Sequence, residues 1–433
     1  MIVVLGCGES ATDPFAGGGA GSQGTEGQPG DTSGVADTTG SSGAIDDSGG
    51  PPKLDIAIPD FDTSNPMPSC TVQDGMDAFG DCEAEAPPDS FDPEVQWSWN
   101  GGSVIVTPLV ANLTDDDASG GIDLCDTPDV IVVAGNALAA EIVVLDGATG
   151  AEHLTFATAV SGQVTPAIGD IDGDGLPEVV AAVGPPLGSL SVIAFEHDGT
   201  VKWQSAAVWP QDQGGALGIA DFDNDGAPEI YADGFILDAN GGLVTMVPAQ
   251  TGWQLAGRSS VTVAADLDDD DDLELVLGQA AYHHDGTEIW NDETVQPGYP
   301  SIANLDGDDD PEILINNPGG ITILEHDGTV KYKDERPVAG AGPGAWFRPA
   351  TVHDFDGDDV SEFAVSSASR YSVIGHDLVP HWSADVQDGS GWASGTAFDF
   401  LGDGLAEAMY ADEVQLFVFS DVGMPLLQVP RSS

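Results

Sequence analysis

Seven times between residues 112 and 407 the chain repeats one pattern: a short apolar run, an acidic loop, a second apolar run and a turn signal. Five of the loops are nine-residue copies: DIDGDGLPE from Asp170, DFDNDGAPE from Asp221, DLDDDDDLE from Asp266, NLDGDDDPE from Asn304 and DFDGDDVSE from Asp354. A sixth, DFLGDGLAE, starts at Asp399, and an expanded first copy starts at Asn112. Successive starts are 38 to 58 residues apart. A period of that size marks a unit that buries its apolar faces against its neighbours. The apolar runs are short, rich in Val and Ile, and bounded by Gly, Asp and Pro, so they read as strands, about four per unit, and no helical period is sustained. HDGT at 197, 284 and 326 is a hairpin signal, because Asp-Gly tolerates positive φ at both turn positions. Strand units repeated radially close into a propeller, so the expected fold is all-β with seven blades. Residues 95–99, VQWSW, and the C-terminal MPLLQV both resemble outer-strand copies such as VKW at 201–203, and either could close the ring.

The loops carry the chemistry. Calcium takes six to eight oxygen ligands at about 2.3–2.6 Å, and a tight loop supplies them from alternate residues. Asp170, Asp172 and Asp174 hold positions 1, 3 and 5, Gly175 permits the bend, Leu176 offers its carbonyl, and Glu178 at position 9 reaches back. Ile171, at position 2, turns into the core. The same roles fall to Asp221, Asp223, Asp225, Ala227 and Glu229, and to Asp266, Asp268, Asp270, Asp272 and Glu274. They fall again to Asn304, Asp306, Asp308, Asp310 and Glu312, and to Asp354, Asp356, Asp358, Val360 and Glu362. Without a cation these carboxylates would repel one another strongly at neutral pH. Roughly five to seven calcium ions are therefore expected.

Two units depart from the pattern. Leu401 replaces the position-3 acid of the last loop, leaving Asp399, Asp403 and Glu407 and a weaker site. Within the first loop, Asp115, Asp117, Ser119, Gly120, Asp123 and Asp126 occupy positions 1, 3, 5, 6, 9 and 12 of an EF-hand-like run. A second register, through Asn112, Thr114 and Asp116 to Asp129, matches the other units.

With their flanking runs, these loops resemble the FG-GAP/VCBS repeats of integrin α-subunit propellers and of many secreted bacterial proteins. The resemblance spans roughly residues 94–430, specific in the loops and weak elsewhere. It implies that calcium stiffens the blades while ligands are met on the opposite or top surface.

Nine Lys plus Arg stand against 74 Asp plus Glu, a formal charge of −65. That balance excludes nucleic acid as a partner, because releasing phosphate counterions needs basic patches. An acidic surface suited to salty surroundings accounts for part of the excess but not for its regular spacing. No run of about eighteen apolar residues is present to span a membrane.

At the N-terminus, Met1–Leu5 is apolar and is followed by Gly6-Cys7, which looks like the end of a bacterial lipoprotein signal with Cys7 lipidated. Residues 8–52 are almost wholly small and polar and are expected to form a disordered tether. Residues 53–93 form a transitional segment in which Cys70 and Cys82 are expected to close a disulfide loop, leaving Cys125 free. Residues 94–433 form the propeller, expected as a monomer at the cell surface, anchored to the outer membrane.

The histidines of the HDGT turns fall one per unit, and His283 reads as a strand residue. Trp203, Trp253, Trp290, Trp346, Trp382 and Trp392 read as blade packing. No nucleophile elbow, zinc-protease motif or nucleotide-binding loop is found. The expected function is a calcium-binding adhesion or scaffolding module for a surface protein or polysaccharide, not an enzyme. The alternative is a polysaccharide lyase or glycosidase on the same scaffold, which should show one polar cluster that the other blades do not reproduce.

Overall fold

The computed structural model describes residues 2–5, 93 and 95–431, apart from 117, 119, 123–125, 138, 185–188, 210–214, 249–260, 309, 339–340 and 392. Cys7, Cys70, Cys82, Cys125, the expected tether, Trp253 and Trp392 lie outside the described residues.

Seven four-stranded antiparallel sheets follow one another along the chain, each built from consecutive strands. Blade 1 comprises Leu109–Ala111, Asp129–Asn136, Ala139–Asp146 and Glu152–Thr155. Blades 2 to 7 span 167–209, 218–246, 263–291, 299–335, 351–385 and 395–430. This is the expected all-β, seven-bladed propeller. Each acidic loop joins the innermost strand of its blade to the second strand.

Burial explains why the second and third strands read as continuous apolar runs rather than alternating ones. Glu178–Val183 and Leu190–Phe195 are packed on both faces, whereas the outer strand Val201–Trp209 buries only Ser205 and Trp209. The hydrophobic core is accordingly divided into layers between neighbouring blades. One layer joins blades 1 and 2 through Ile131, Ile142, Val179 and Ile193, and another joins blades 2 and 3 through Val180, Val192, Ile230 and Leu237. Further layers link blades 3 and 4, 4 and 5, 5 and 6, and 6 and 7. Tyr371 and Tyr410 stack at 4.1 Å between the last two.

A recurring latch reinforces these layers. Trp203, on the outer strand of blade 2, covers Gly241 in a hairpin turn of blade 3 and donates its Nε1–H to Ala239 O at 2.9 Å. A Cβ on Gly241 would lie 2.5 Å from the indole, and the residue's φ of +78° is left-handed, so two independent reasons select glycine. Trp290 covers Gly328, Trp382 covers Gly423 and Phe156 covers Gly199 in the same way. The tryptophans read as packing residues do pack between blades at these three positions.

Both candidate closing segments have a place, and the places differ. Pro425–Pro430 is the outer strand of blade 7. Val95–Trp99 lies outside the seven sheets, pairs with Ile2–Leu5, and buries Trp97 and Trp99 against Val130, Val132, Val143 and Leu145 of blade 1. Trp97 covers Gly150 and donates to Gly147 O at 2.7 Å, so this segment supplies blade 1 with its latch.

Candidate metal centres

Each loop is pinned by the same bonds, and its sequence dictates them. Position 1 gathers backbone N–H groups: Asp170 accepts from Gly173 at 2.7 Å and Gly175 at 2.9 Å, and Asp354 from Gly357 at 2.7 Å and Asp359 at 2.9 Å. Asp221, Asp266 and Asp399 accept in the same manner, and Asn304 does so through Oδ1. Position 5 accepts the N–H of position 7, so Asp174, Asp225, Asp270, Asp308, Asp358 and Asp403 hold Leu176, Ala227, Asp272, Asp310, Val360 and Leu405. Positions 4 and 6 take positive φ, as at Gly173 (76°) and Gly175 (87°); blade 4 places Asp269 (62°) and Asp271 (72°) there despite the cost to a side chain.

Position 9 is the deepest of the acids. Glu178 and Glu274 are fully buried, and Glu312, Glu362 and Glu407 nearly so, while Glu229 is half-buried. In blades 2 to 7 one carboxylate oxygen of this residue accepts the N–H of position 2: Ile171 to Glu178 at 2.9 Å, Phe222 to Glu229 at 2.9 Å, Leu267 to Glu274 at 2.8 Å, Leu305 to Glu312 at 2.7 Å, Phe355 to Glu362 at 2.9 Å and Phe400 to Glu407 at 2.8 Å. The position-2 side chain faces the core, as Ile171, Phe222, Leu267, Leu305 and Phe355 do by their complete or near-complete burial. This two-way division ties the acid to the blade with one oxygen and presents the other to the loop.

The donor set fits a hard cation. Ligand atoms of Asp170, Asp172 and Glu178 lie within 4.8 Å of one another, as do those of Asp221, Asp223 and Asp225, and those of Asp266, Asp268 and Glu274. Oxygens at about 2.4 Å from one ion are at most about 5 Å apart. Burial pushes Glu229, Glu274 and Glu362 up to about 7, with neighbouring loop aspartates adding to the shift. Burial also raises Glu178, Glu312 and Glu407. Carboxylates so crowded either take up protons near neutrality or share a cation.

In blade 1, Leu113 N–H bonds Asp129 Oδ2 at 2.9 Å, the counterpart of the position-2 bond elsewhere. Ligand atoms of Asp116, Asp129 and His153 fall within 4.8 Å of one another, placing them as in the register through Asn112. Of the EF-hand-like set, Asp115 accepts from Gly120 N–H and Asp126 from Asp116 N–H, while Asp117, Ser119 and Asp123 lie outside the described residues. In blade 7, Leu401 contributes its N–H to Glu407 at 3.2 Å instead of a position-3 oxygen.

Basic side chains beside the acids were not legible in the loops themselves. Lys202 Nζ stands 2.5 Å from Asp172, 3.1 Å from Glu178 and 3.1 Å from Glu196. Lys331 pairs with Asp306, with Glu312 at 3.4 Å and with Glu325 at 3.3 Å. His153 Nδ1 is 3.0 Å from Asp129, and His381 Nδ1 is 3.6 Å from Asp356. His283, read as a strand residue, follows the strand Ala280–Tyr282 and turns its Nδ1 to 3.2 Å from Glu274. The available signal was the residue just before the outer-strand aromatic, as in VKW, VKY and PHW.

One polar cluster breaks the sevenfold pattern. Arg348, from the segment joining blades 5 and 6, is 3% exposed and bonds Asp388 Oδ2 through Nε at 2.5 Å and Asp388 O through Nη2 at 2.6 Å. Asn316 donates to Arg348 O at 2.9 Å, and Gly391 N–H donates to Asp388. Burial alone would raise the Asp388 carboxyl, but the guanidinium outweighs it and holds the group low. The cluster is closed to solvent and its charges are paired, so it braces the connections of blades 5, 6 and 7. A surface cleft of about 450 Å³ between the loops of blades 1 and 2 is lined by Thr114, Asp115, Leu176, His197 and Asp198 among others.

Residues 170–232 match the FG-GAP-like repeat family. Among solved structures, the Vibrio cholerae biofilm matrix protein Bap1 superposes with a TM-score of 0.63 at 19% identity, over 78% of this chain and 84% of that one. Rhamnogalacturonan lyase YesW gives 0.46 at 17% identity over 71% and 58%, and the Bacillus licheniformis rhamnogalacturonan lyase PL11 gives 0.43 at 15% over 75% and 62%. At these identities the likeness is one of fold. No curated protein matches.

Proposed function

We propose that this seven-bladed propeller, whose residues 170–232 match the FG-GAP-like repeat family, is a calcium-stiffened binding or adhesion module of the cell surface, its partner a polysaccharide or a surface protein. The observation that carries this reading is the position-9 acid, buried in blades 2, 4, 5, 6 and 7, with one oxygen on the backbone and the other facing crowded aspartates. When bound, calcium supplies charge neutralisation there. Asp172 and Glu178, with their equivalents in the other blades, would hold it, while Asp170 and its equivalents keep the loop in the shape that receives it. The ions then serve rigidity, and a rigid ring presents its surfaces to a partner. Bap1, a biofilm matrix protein, has this fold, which supports an extracellular role. Attachment through a lipidated Cys7 belongs to the same proposal.

The reading as a polysaccharide-active enzyme finds less support. Asp198 in the cleft is held below the usual carboxylate range by the Thr200 hydroxyl and N–H, and a general acid needs the opposite displacement. The symmetry-breaking cluster around Arg348 is sealed from substrate.

A glycan and surface-protein binding screen, run with calcium and with EDTA, tests the proposal. Calcium-dependent capture of a defined glycan or protein without its cleavage is the expected result; turnover of a bound polysaccharide would replace the binding module with an enzyme.

A further inference from the structure

One outer-strand position beside the acidic loops changes character from blade to blade, and in blade 4, where it is aliphatic, His283 from the preceding turn stands 3.2 Å from Glu274 instead. The position is lysine in blades 2 and 5, at Lys202 and Lys331, and histidine in blades 1 and 6, at His153 and His381. It is aliphatic in blades 3, 4 and 7, at Val244, Ile289 and Leu426. Cross-strand pairing fixes the equivalence, because the following residues, Trp203, Thr245, Trp290, Tyr332, Trp382 and Leu427, each face the third strand at the same register point: Ala194, Ile236, Ala281, Ile323, Val373 and Val418.

The lysines do not merely lie near the loops. Lys202 bridges position 3 and position 9 of its loop, Asp172 and Glu178, the two carboxylates that a divalent ion would have to share, and it adds Glu196 from the hairpin turn. Lys331 makes the same three contacts with Asp306, Glu312 and Glu325. Blade 3 places Asp221, Asp223 and Asp225 together, within electrostatic reach of Glu229, and has the aliphatic Val244 at that position. An ammonium on a four-carbon stem is a compact point charge, able to stand where a cation is needed.

We propose that Lys202 and Lys331 are tethered counter-cations that compete with calcium, so that blades 2 and 5 hold their shape without the ion while blades 3, 4 and 6 depend on it. This rests on the calcium reading above and divides its sites into two classes. Tethering makes the lysine's effective concentration high and independent of the medium, so the loops of blades 2 and 5 bind calcium weakly. The ring then keeps two fixed blades when calcium is scarce, set three apart in the order of seven.

The test is to count and rank calcium sites by calorimetric titration and equilibrium dialysis on the full chain, comparing wild type with Lys202→Met, Lys331→Met and the double variant. Each single substitution is expected to tighten one calcium site at least tenfold, and the double variant two. Each is also expected to lower the melting temperature in EDTA while leaving it unchanged in calcium. Lys333→Met, whose ammonium bonds Thr294 outside any loop, should change nothing. Lys202→Arg, keeping the charge, should behave as wild type, and Lys202→Gln serves if the methionine variant does not fold. Unchanged or weakened calcium binding in the methionine and glutamine variants would overturn the inference while leaving calcium binding standing. Absence of calcium binding in both wild type and variants would instead remove the reading on which it rests.

Discussion

Stripping calcium from the loops and then raising the pH should weaken the fold in one window, from about pH 4.5 to about pH 7. Glu229, Glu274 and Glu362 move from an ordinary value near 4.5 up to about 7 in the folded chain, first because they are buried and then because loop aspartates surround them. Between those values the folded protein keeps a proton that the unfolded chain has lost. Stability therefore falls as pH rises across the window, is undiminished below about 4.5, and carries its full penalty above about 7. A displacement of about 2.5 pH units corresponds to at most about 3.4 kcal/mol per group. Screening reduces this, least for the fully buried Glu274 and most for the half-buried Glu229, leaving about 1–2 kcal/mol each, or roughly 3–6 kcal/mol for the three. Urea denaturation in EDTA at pH 5.0 and pH 7.5 should show most of that difference, a part being already lost at pH 5.0. Saturating calcium should flatten the profile, since an ion at 100 times its dissociation constant adds about 2.7 kcal/mol per site. Equal stability at both pH values in EDTA, or a pH profile that calcium leaves untouched, would refute the idea that the buried acids await a cation.

Other perturbations probe the scaffold. Trp203→Ala removes an inter-blade latch with its bond to Ala239 O and should cost about 3–5 kcal/mol by urea denaturation. Gly241→Ala meets the same indole at 2.5 Å from a left-handed backbone and should cost about 1–3 kcal/mol, an effect that Trp203→Ala in the same chain should reduce. Arg348→Ala leaves Asp388 buried and unpaired and should cost about 3–5 kcal/mol, with Arg348→Met plus Asp388→Asn recovering a measurable part in a double-mutant cycle. Below about pH 4 the trend should reverse in calorimetry: the Thr200 and Thr329 hydroxyls and N–H groups hold Asp198 and Asp327 low, and the stability these groups contribute is lost as they protonate.

Much of the ring was legible because its information is local. D-x-D-G-D-G sets acids on alternate positions, places glycine where φ turns positive, and leaves position 2 for an apolar side chain, so Ile171 and Glu178 can be assigned opposite roles from spacing alone. Blade number followed from counting loops. Short apolar runs such as residues 179–183 signalled strands, and the structure covers them on both faces. Where a nine-residue frame was absent the reading divided: the 112–129 segment admitted two registers, and the bond from Leu113 to Asp129 places the second one's final acid in line with the other blades.

Sequence by itself determined what each unit is: four short strands, a loop of acids, and a hairpin turn, with a glycine at its left-handed position in every blade but the sixth, where Leu378 takes it. Only the tertiary structure decided what lies across from what. Lys202 meets Asp172 over an interval of thirty residues, Trp203 reaches a turn thirty-six residues ahead, and Arg348 finds Asp388 forty residues on. Those pairings depend on strand register and on how one blade seats against the next. Neither is written in any local window, because both are set by burial of side chains from both partners at once.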